Sequence, residues 1–303
     1  MIVDVATSVW QKPQQLGAAA LRRLAPSDRT PWDRLDGGVA AHERAIAEVD
    51  AAIVHGLHCR HAGAQIGHKE VAAAVDRQPE KLIGFAGIDP LAPAPLECLD
   101  HAASLGLAGV SLCPAAQNMH PCHSRAMDLY EQCEKRAMPL YIHGGDLFSN
   151  VSIMAFARSE HFDEVARTFA NLRLVIAQIG RPWIEPTLEL VCRHRHVYAD
   201  ISGLINHPWQ LYHALMLAHE YGADNKLLLA SGFPFCTPQQ AIINLYSVNR
   251  FTNQTHLPHV PRPVLHGIVE RDALRCLGLE PPAKPGTPPP VSDKSPITQD
   301  TSS

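Results

Sequence analysis

No apolar run in this 303-residue chain approaches the roughly 20 residues needed to cross a bilayer. The opening Met1-Ile2-Val3-Asp4-Val5 lacks the basic, apolar and small-residue zones of a secretory signal. Cysteine occurs eight times but never as a CxxC pair, which suits reduced thiols, and a cytoplasmic location is the expectation. Charge is sparse too, at 18% of residues with a net value of −4 and no basic block. That balance argues against nucleic acid or a membrane as the main partner. Neither GxGxxG nor a P-loop follows any strand-like run, and there is no GxSxG nucleophile elbow. Wholesale disorder is excluded by the 46% hydrophobic content. What the chain has in abundance is histidine, 18 in all, which raises the question of a metal.

The length fits two average domains, or one α/β barrel of about 250 residues with an extension. The pattern of elements favours the second. From Glu280 to Ser303 the chain is rich in Pro, Ser, Thr and Lys, with the run Pro288-Pro289-Pro290, and it reads as a disordered tail. Before it, β-prone runs alternate with helical spacing. Strands are predicted at Ile2–Ala6, Ala52–Gly56, Leu82–Ile88, Gly109–Cys113, Pro139–His143, Leu172–Gln178, Val197–Ile201 and Lys226–Ser231. An irregular segment, Pro13 to Gly38, follows the first strand. Helical patterns occupy His42–Ala51, Lys69–Arg77, Leu96–Leu105, His123–Arg136, His161–Phe169, Pro186–Arg193, His207–Tyr221 and Pro238–Tyr246. A last helix is predicted over Val264–Leu277. Strand–helix alternation implies parallel strands joined by crossovers. Runs such as Leu227-Leu228-Leu229-Ala230 fit a sheet covered on both faces. The expected fold is therefore a closed (β/α)8 TIM barrel over residues 1–279, with an open doubly wound sheet as the alternative.

Chemistry in such a barrel sits at the C-terminal ends of the strands. The residues delivered there are Ala6, Thr7 and Ser8; His55 to His61; Asp89; Ser111 and Cys113; His143; Gln178; Asp200 and Ser202; and Ser231 and Gly232. Their surroundings include Ile2-Val3-Asp4-Val5-Ala6-Thr7-Ser8, Leu82-Ile83-Gly84-Phe85-Ala86-Gly87-Ile88-Asp89-Pro90 and Pro139-Leu140-Tyr141-Ile142-His143-Gly144-Gly145. Further along come Leu174-Val175-Ile176-Ala177-Gln178-Ile179-Gly180, Val197-Tyr198-Ala199-Asp200-Ile201-Ser202-Gly203 and Leu228-Leu229-Ala230-Ser231-Gly232-Phe233-Pro234-Phe235. In order and spacing these segments resemble the amidohydrolase superfamily, in its amidohydrolase-related branch with aminocarboxymuconate-semialdehyde decarboxylase-like enzymes. The closing Asp272-Ala273-Leu274-Arg275-Cys276-Leu277-Gly278-Leu279 is similar to the family's terminal helix.

The resemblance implies a divalent metal held by His-x-His from strand one, a histidine each from strands five and six, and an aspartate from strand eight. It also implies hydrolase or decarboxylase chemistry and, often, a homodimer. Here those positions read Ala6 and Ser8, His143, Gln178 and Gly232, and Ser111 replaces a lysine common after strand four. Alanine and glycine offer no ligand atom, and neutral Ser and Gln oxygens are weak partners for zinc. The expectation is thus a barrel that has lost the family's metal and activity, a pseudoenzyme retained to bind a small molecule in the barrel mouth or to regulate. His143 is the candidate catalytic residue, for proton transfer or substrate binding, or else a hydrogen-bonded relic. Ser8, Gln178, Asp200 and Ser231 are candidate substrate-binding residues.

The alternative is an active hydrolase or carboxy-lyase, either metal-free through His143 or holding Zn or another divalent metal on relocated ligands. His55, His58 and Cys59 are the candidates for relocation, and Cys113, His120, Cys122 and His123 form a second donor-rich stretch on the same face. His194 and His196 also spell His-x-His, but they precede strand seven and belong to the opposite end of the barrel.

Overall fold

The computed structural model describes residues 1–18, 35–144 and 149–282. Part of the expected irregular segment, Gly145, and the tail from residue 283 onward lie outside the described residues. In chain order the elements are β1 (Val3–Thr7), α1 (Val39–Ala45), β2 (Ala51–His55), β3 (Leu57–Cys59), β4 (Ala64–Ile66), α2 (His68–Val75) and β5 (Leu82–Gly87). Next come α3 (Pro95–Ser104), β6 (Gly109–Leu112), α4 (Pro114–Gln117), α5 (Ser124–Lys135), β7 (Leu140–Ile142), α6 (Phe162–Thr168) and β8 (Leu174–Ile176). The chain continues through α7 (Ile184–Arg193), β9 (Val197–Asp200), α8 (Pro208–Glu220), β10 (Leu227–Leu228), α9 (Pro238–Tyr246), α10 (Arg262–Glu270) and α11 (Ala273–Leu277).

Eight strands pair in the order β1-β2-β5-β6-β7-β8-β9-β10, every pair parallel. Three backbone bonds bring the last strand to the first. Val5 N donates to Leu229 O at 3.0 Å, Gly232 N to Ala6 O at 3.0 Å and Ser8 N to Phe233 O at 3.1 Å. The sheet is therefore a (β/α)8 TIM barrel.

Strand alternation divides the core in two. Val5, Ile53, Phe85, Tyr141, Val175 and Leu228 point inward and fill the barrel. Val54, Val110, Leu112, Leu140, Leu174 and Leu227 point outward against the helices. Ala273, Leu274 and Leu277 of α11 join the inner set, so this short helix closes the N-terminal end of the barrel.

Three elements differ from the sequence reading. The helix expected over Val264–Leu277 is two helices, because Asp272 stops the first and caps the second by accepting from Arg275 N at 3.1 Å. The helix expected to reach Ala51 ends at Ala45, and Ala51 begins β2. The stretch from His55 to His61 spans the end of β2 and the first strand of an antiparallel hairpin, β3–β4, with Leu57 paired to Ile66 and Cys59 to Ala64. That hairpin lies directly on the barrel, where a Cβ on Gly87 would collide with the Leu57 backbone. Among the described residues, no helix is long and apolar enough to cross a membrane.

Candidate functional site

The C-terminal ends of the strands surround a cavity that is open at its mouth. All five positions singled out by the sequence line it: Ala6, Ser8, His143, Gln178 and Gly232. Above them the wall is apolar, with Trp10, Leu16, Leu57, Ile66, Phe233 and Phe235. Two of these, Leu57 and Ile66, come from the β3–β4 hairpin. Among the described residues, no Asp, Glu, Lys or Arg lines the cavity.

The floor is a cluster of tilted and edge-to-face rings. His55 lies 4.1 Å from Tyr141 and 5.5 Å from His143 between centroids, and Tyr141 lies 4.9 Å from His143. His55 Nε2 is 2.8 Å from the Val5 carbonyl, and a carbonyl only accepts, so this nitrogen carries the proton. Nδ1 is then the acceptor for the Ser111 hydroxyl at 2.9 Å. Burial lowers the His55 pKa to about 4, so the ring is neutral. His143 is pushed down further, to about 3, by burial first and by neighbouring His55 second. Among the described residues its buried Nε2 has no hydrogen-bond partner.

Two carboxylates behind the cavity hold its backbone in place. Asp4 Oδ1 accepts from Ala6 N at 3.1 Å and Ser231 N at 3.0 Å, and Oδ2 accepts from Ser231 Oγ at 2.5 Å. Asp200 Oδ1 accepts from Gln178 N at 3.1 Å, Ser202 N at 2.8 Å and Ser202 Oγ at 2.6 Å. Burial raises both pKa values, that of Asp4 to about 6. The Asp200 bond to Gln178 N supports an unusual turn, in which Gln178, Ile179 and Gly180 take φ values of 58°, 47° and 62°. Left-handed backbone costs a non-glycine residue about 1–3 kcal/mol. Gly180 meets a further demand, since a Cβ there would collide with Thr187 Oγ1.

Of the expected substrate-binding residues, then, Ser8 and Gln178 face the cavity, whereas Asp200 and Ser231 do not. Both are fully buried behind it, and their polar atoms serve the backbone latches just described. Asp4 was missed as a participant, although an acid inside the apolar run Ile2–Ala6 was the available signal.

The relocated metal cluster is not assembled either. His55 spends both nitrogens on Ser111 and Val5, and Cys59 lies buried against Cys113. Adjacent strand residues point to opposite faces, so the run from His58 to Cys59 cannot converge on one point. In the second stretch His120 and His123 turn their Nδ1 atoms to the amides of Cys122 and Arg125. His194, of the other His-x-His pair, bonds Asp163 at 2.8 Å. Among the described residues no three His, Cys, Asp or Glu side chains converge as a metal site requires. The family's metal position fares no better on chemistry. It offers one imidazole, one hydroxyl and one amide, against the three strong donors of a catalytic zinc. These residues do not fit the metal.

Comparison with known proteins supplies the ancestry. A TIM-barrel protein from Bordetella bronchiseptica superposes with a TM-score of 0.67 at 18% identity, over 91% of this chain and 98% of that one. The 5-carboxyvanillate decarboxylase of Sphingomonas paucimobilis gives 0.61 at 14% identity, over 92% and 99%. A dihydroxybenzoic acid decarboxylase from a Polaromonas species, solved with bound manganese and 2-nitroresorcinol, gives 0.63 at 12%, over 91% and 96%. No functionally curated protein matches the chain. At these identities the structural matches establish the fold alone. The amidohydrolase family model matches residues 6–278, nearly the whole barrel, and the chain belongs to that family.

Proposed function

We propose that this protein is an amidohydrolase-family barrel working without the family's metal, as a binding protein for a small, uncharged, largely apolar molecule. One observation carries the reading: the cavity persists at the family's position while the five ligand positions in its wall present a single imidazole. The described wall offers no countercharge, and His143 is held neutral, so burying a carboxylate there would cost several kcal/mol. Hydroxyl or carbonyl groups suit Ser8, His143 and Gln178, while the aromatic and aliphatic wall takes the apolar body. A regulatory role would use the same bound state.

The test combines metal content with ligand preference. Protein purified without chelators should contain far less than one equivalent of zinc or manganese. Resorcinol should raise the melting temperature more than benzoate at equal concentration. Stoichiometric metal whose removal collapses the cavity's ligand binding, or a clear preference for benzoate, overturns the proposal.

A second reading has one observation in its favour. Among the described residues the His143 Nε2 has no hydrogen-bond partner, which leaves this ring nitrogen available for metal-free proton transfer with a cavity ligand. Turnover of a cavity ligand that disappears in His143→Asn, with folding retained, would establish it. Equal turnover in the variant would remove it.

A further inference from the structure

The opposite end of the barrel carries a charged cluster that the cavity does not use. Arg173 immediately precedes β8, His196 precedes β9 and Lys226 precedes β10, so the strands deliver all three to one rim. Arg195 adjoins them, and α11 closes the rim from below. The Arg173 guanidinium lies against Gly278, where a Cβ would stand 2.6 Å from its Cζ. Lys226 Nζ sits 4.8 Å from the Tyr198 ring centroid and donates to the His194 and Arg195 carbonyls at 2.9 and 2.6 Å. Arg271 donates to the Asp224 and Leu227 carbonyls at 2.8 and 2.9 Å.

Four cations thus crowd one rim, and among the described residues none of them forms an ion pair with a carboxylate. No acid within reach pairs with Arg173, Arg195 or Lys226: Asp224 turns Oδ2 to His219 at 2.8 Å and its charge offsets that of Arg271, and Asp272 caps α11. Arg173 Nε is buried without a hydrogen-bond partner. Lys226 has one of its three N–H donors left. The crowding is felt by His196, whose proton affinity is lowered by burial and then by Arg173, Arg195 and Lys226. In a chain of net charge −4, this concentration of unpaired positive charge runs against the average.

We propose that this rim is an anion site that takes a phosphate group, inorganic or as a monoester, between Arg173, Arg195 and Lys226. A tetrahedral dianion matches what is available. It can accept from the Arg173 and Arg195 guanidiniums and from the remaining Lys226 proton, and its charge offsets the mutual repulsion of the cations. The site is independent of the cavity and lies at the end of the barrel where the family's chemistry does not occur.

Phosphorus NMR of inorganic phosphate and of glycerol 3-phosphate, titrated with full-length protein at constant ionic strength, tests it. Both probes should show saturable binding, or only one of them if the site distinguishes free phosphate from ester. Arg195→Gln, at an exposed position, should weaken binding about tenfold, the value of a charge-assisted bond. Arg173→Gln combined with Arg195→Gln should remove saturable binding. Arg167→Gln, at an arginine already paired with Asp163, should leave it unchanged. The absence of saturable binding by either probe, or equal binding by Arg195→Gln and the unaltered protein, overturns the proposal.

Discussion

Replacing Asp4 by Asn should change the pH dependence of folding in a direction opposite to ordinary acid denaturation. Asp4 is completely buried, and its pKa is pushed up to about 6, chiefly by desolvation. The Ser231 hydroxyl and the Ser231 and Ala6 amides pull it back, and the neighbouring Asp200 charge adds to the rise. The folded state therefore holds this proton more tightly than the unfolded chain does. Its contribution to stability is full below the unfolded pKa near 4 and is lost as the pH rises through 6. Roughly two pH units at about 1.36 kcal/mol each amount to ~3 kcal/mol. Asparagine imitates the neutral acid, since its carbonyl can keep the two amide bonds now made by Oδ1. Its NH2 group can donate to Ser231 Oγ in place of the Oδ2 contact. Urea unfolding of both proteins at pH 4.5, 6 and 8 gives the comparison, with every other titrating group common to both. The stability of Asp4→Asn relative to the unaltered protein should rise by about 2 kcal/mol from pH 4.5 to 8. A difference constant to within about 0.5 kcal/mol over that range would refute the argument.

Other consequences concern the histidines and the turn. His42, His55 and His143 have pKa values lowered to about 4, 4 and 3, so their contribution is present above the unfolded value near 6.5 and is lost as the pH falls. Their ring proton signals should accordingly hold still from pH 8 to pH 5, and titration of any of them near 6.5 would contradict its burial. His55→Phe keeps a ring in place but strands the Ser111 hydroxyl and the Val5 carbonyl, at a cost of about 2–4 kcal/mol in unfolding free energy. A loss under 0.5 kcal/mol, on the order of a neutral surface change, would show that these bonds do not hold the floor. Gly180→Ala combines a left-handed φ with a collision against Thr187 and should cost about 2–4 kcal/mol by the same measurement. Unchanged stability there would mean that the Gln178–Gly180 turn relaxes freely.

Barrel topology was legible because the strands are apolar runs spaced by helices, and all eight predicted strands overlap observed ones. The hairpin was not, because β3 and β4 have three residues each, too few for alternation to stand out from a polar loop. The break between α10 and α11 was hidden by continuous helical spacing and is visible only through the Asp272 cap. At the site, the lining positions Ala6, Ser8, His143, Gln178 and Gly232 were readable from the order of strand ends. What could not be read was the direction in which a polar side chain points. Asp200 and Ser231 follow the strand pattern of site residues, yet they turn their oxygens to backbone amides and neighbouring side chains. The same ambiguity concealed Asp4.

That division explains how such a barrel can lose its donors and keep its form. The bonds holding the strand ends come from Asp4, His55, Asp200 and Ser231, all buried at or beneath the cavity floor. Ala6 is tied to the frame through its backbone, its amide bonded to Asp4 and its carbonyl to Gly232 N. Gly232 is held through that amide bond, with no side chain to contribute. Exchanging a ligand side chain at either position therefore removes chemistry without removing a structural bond. His143 differs, since its ring packs against His55 and Tyr141 and helps to fill the floor. The fold itself employs that side chain, which gives a physical reason for an aromatic ring at this position.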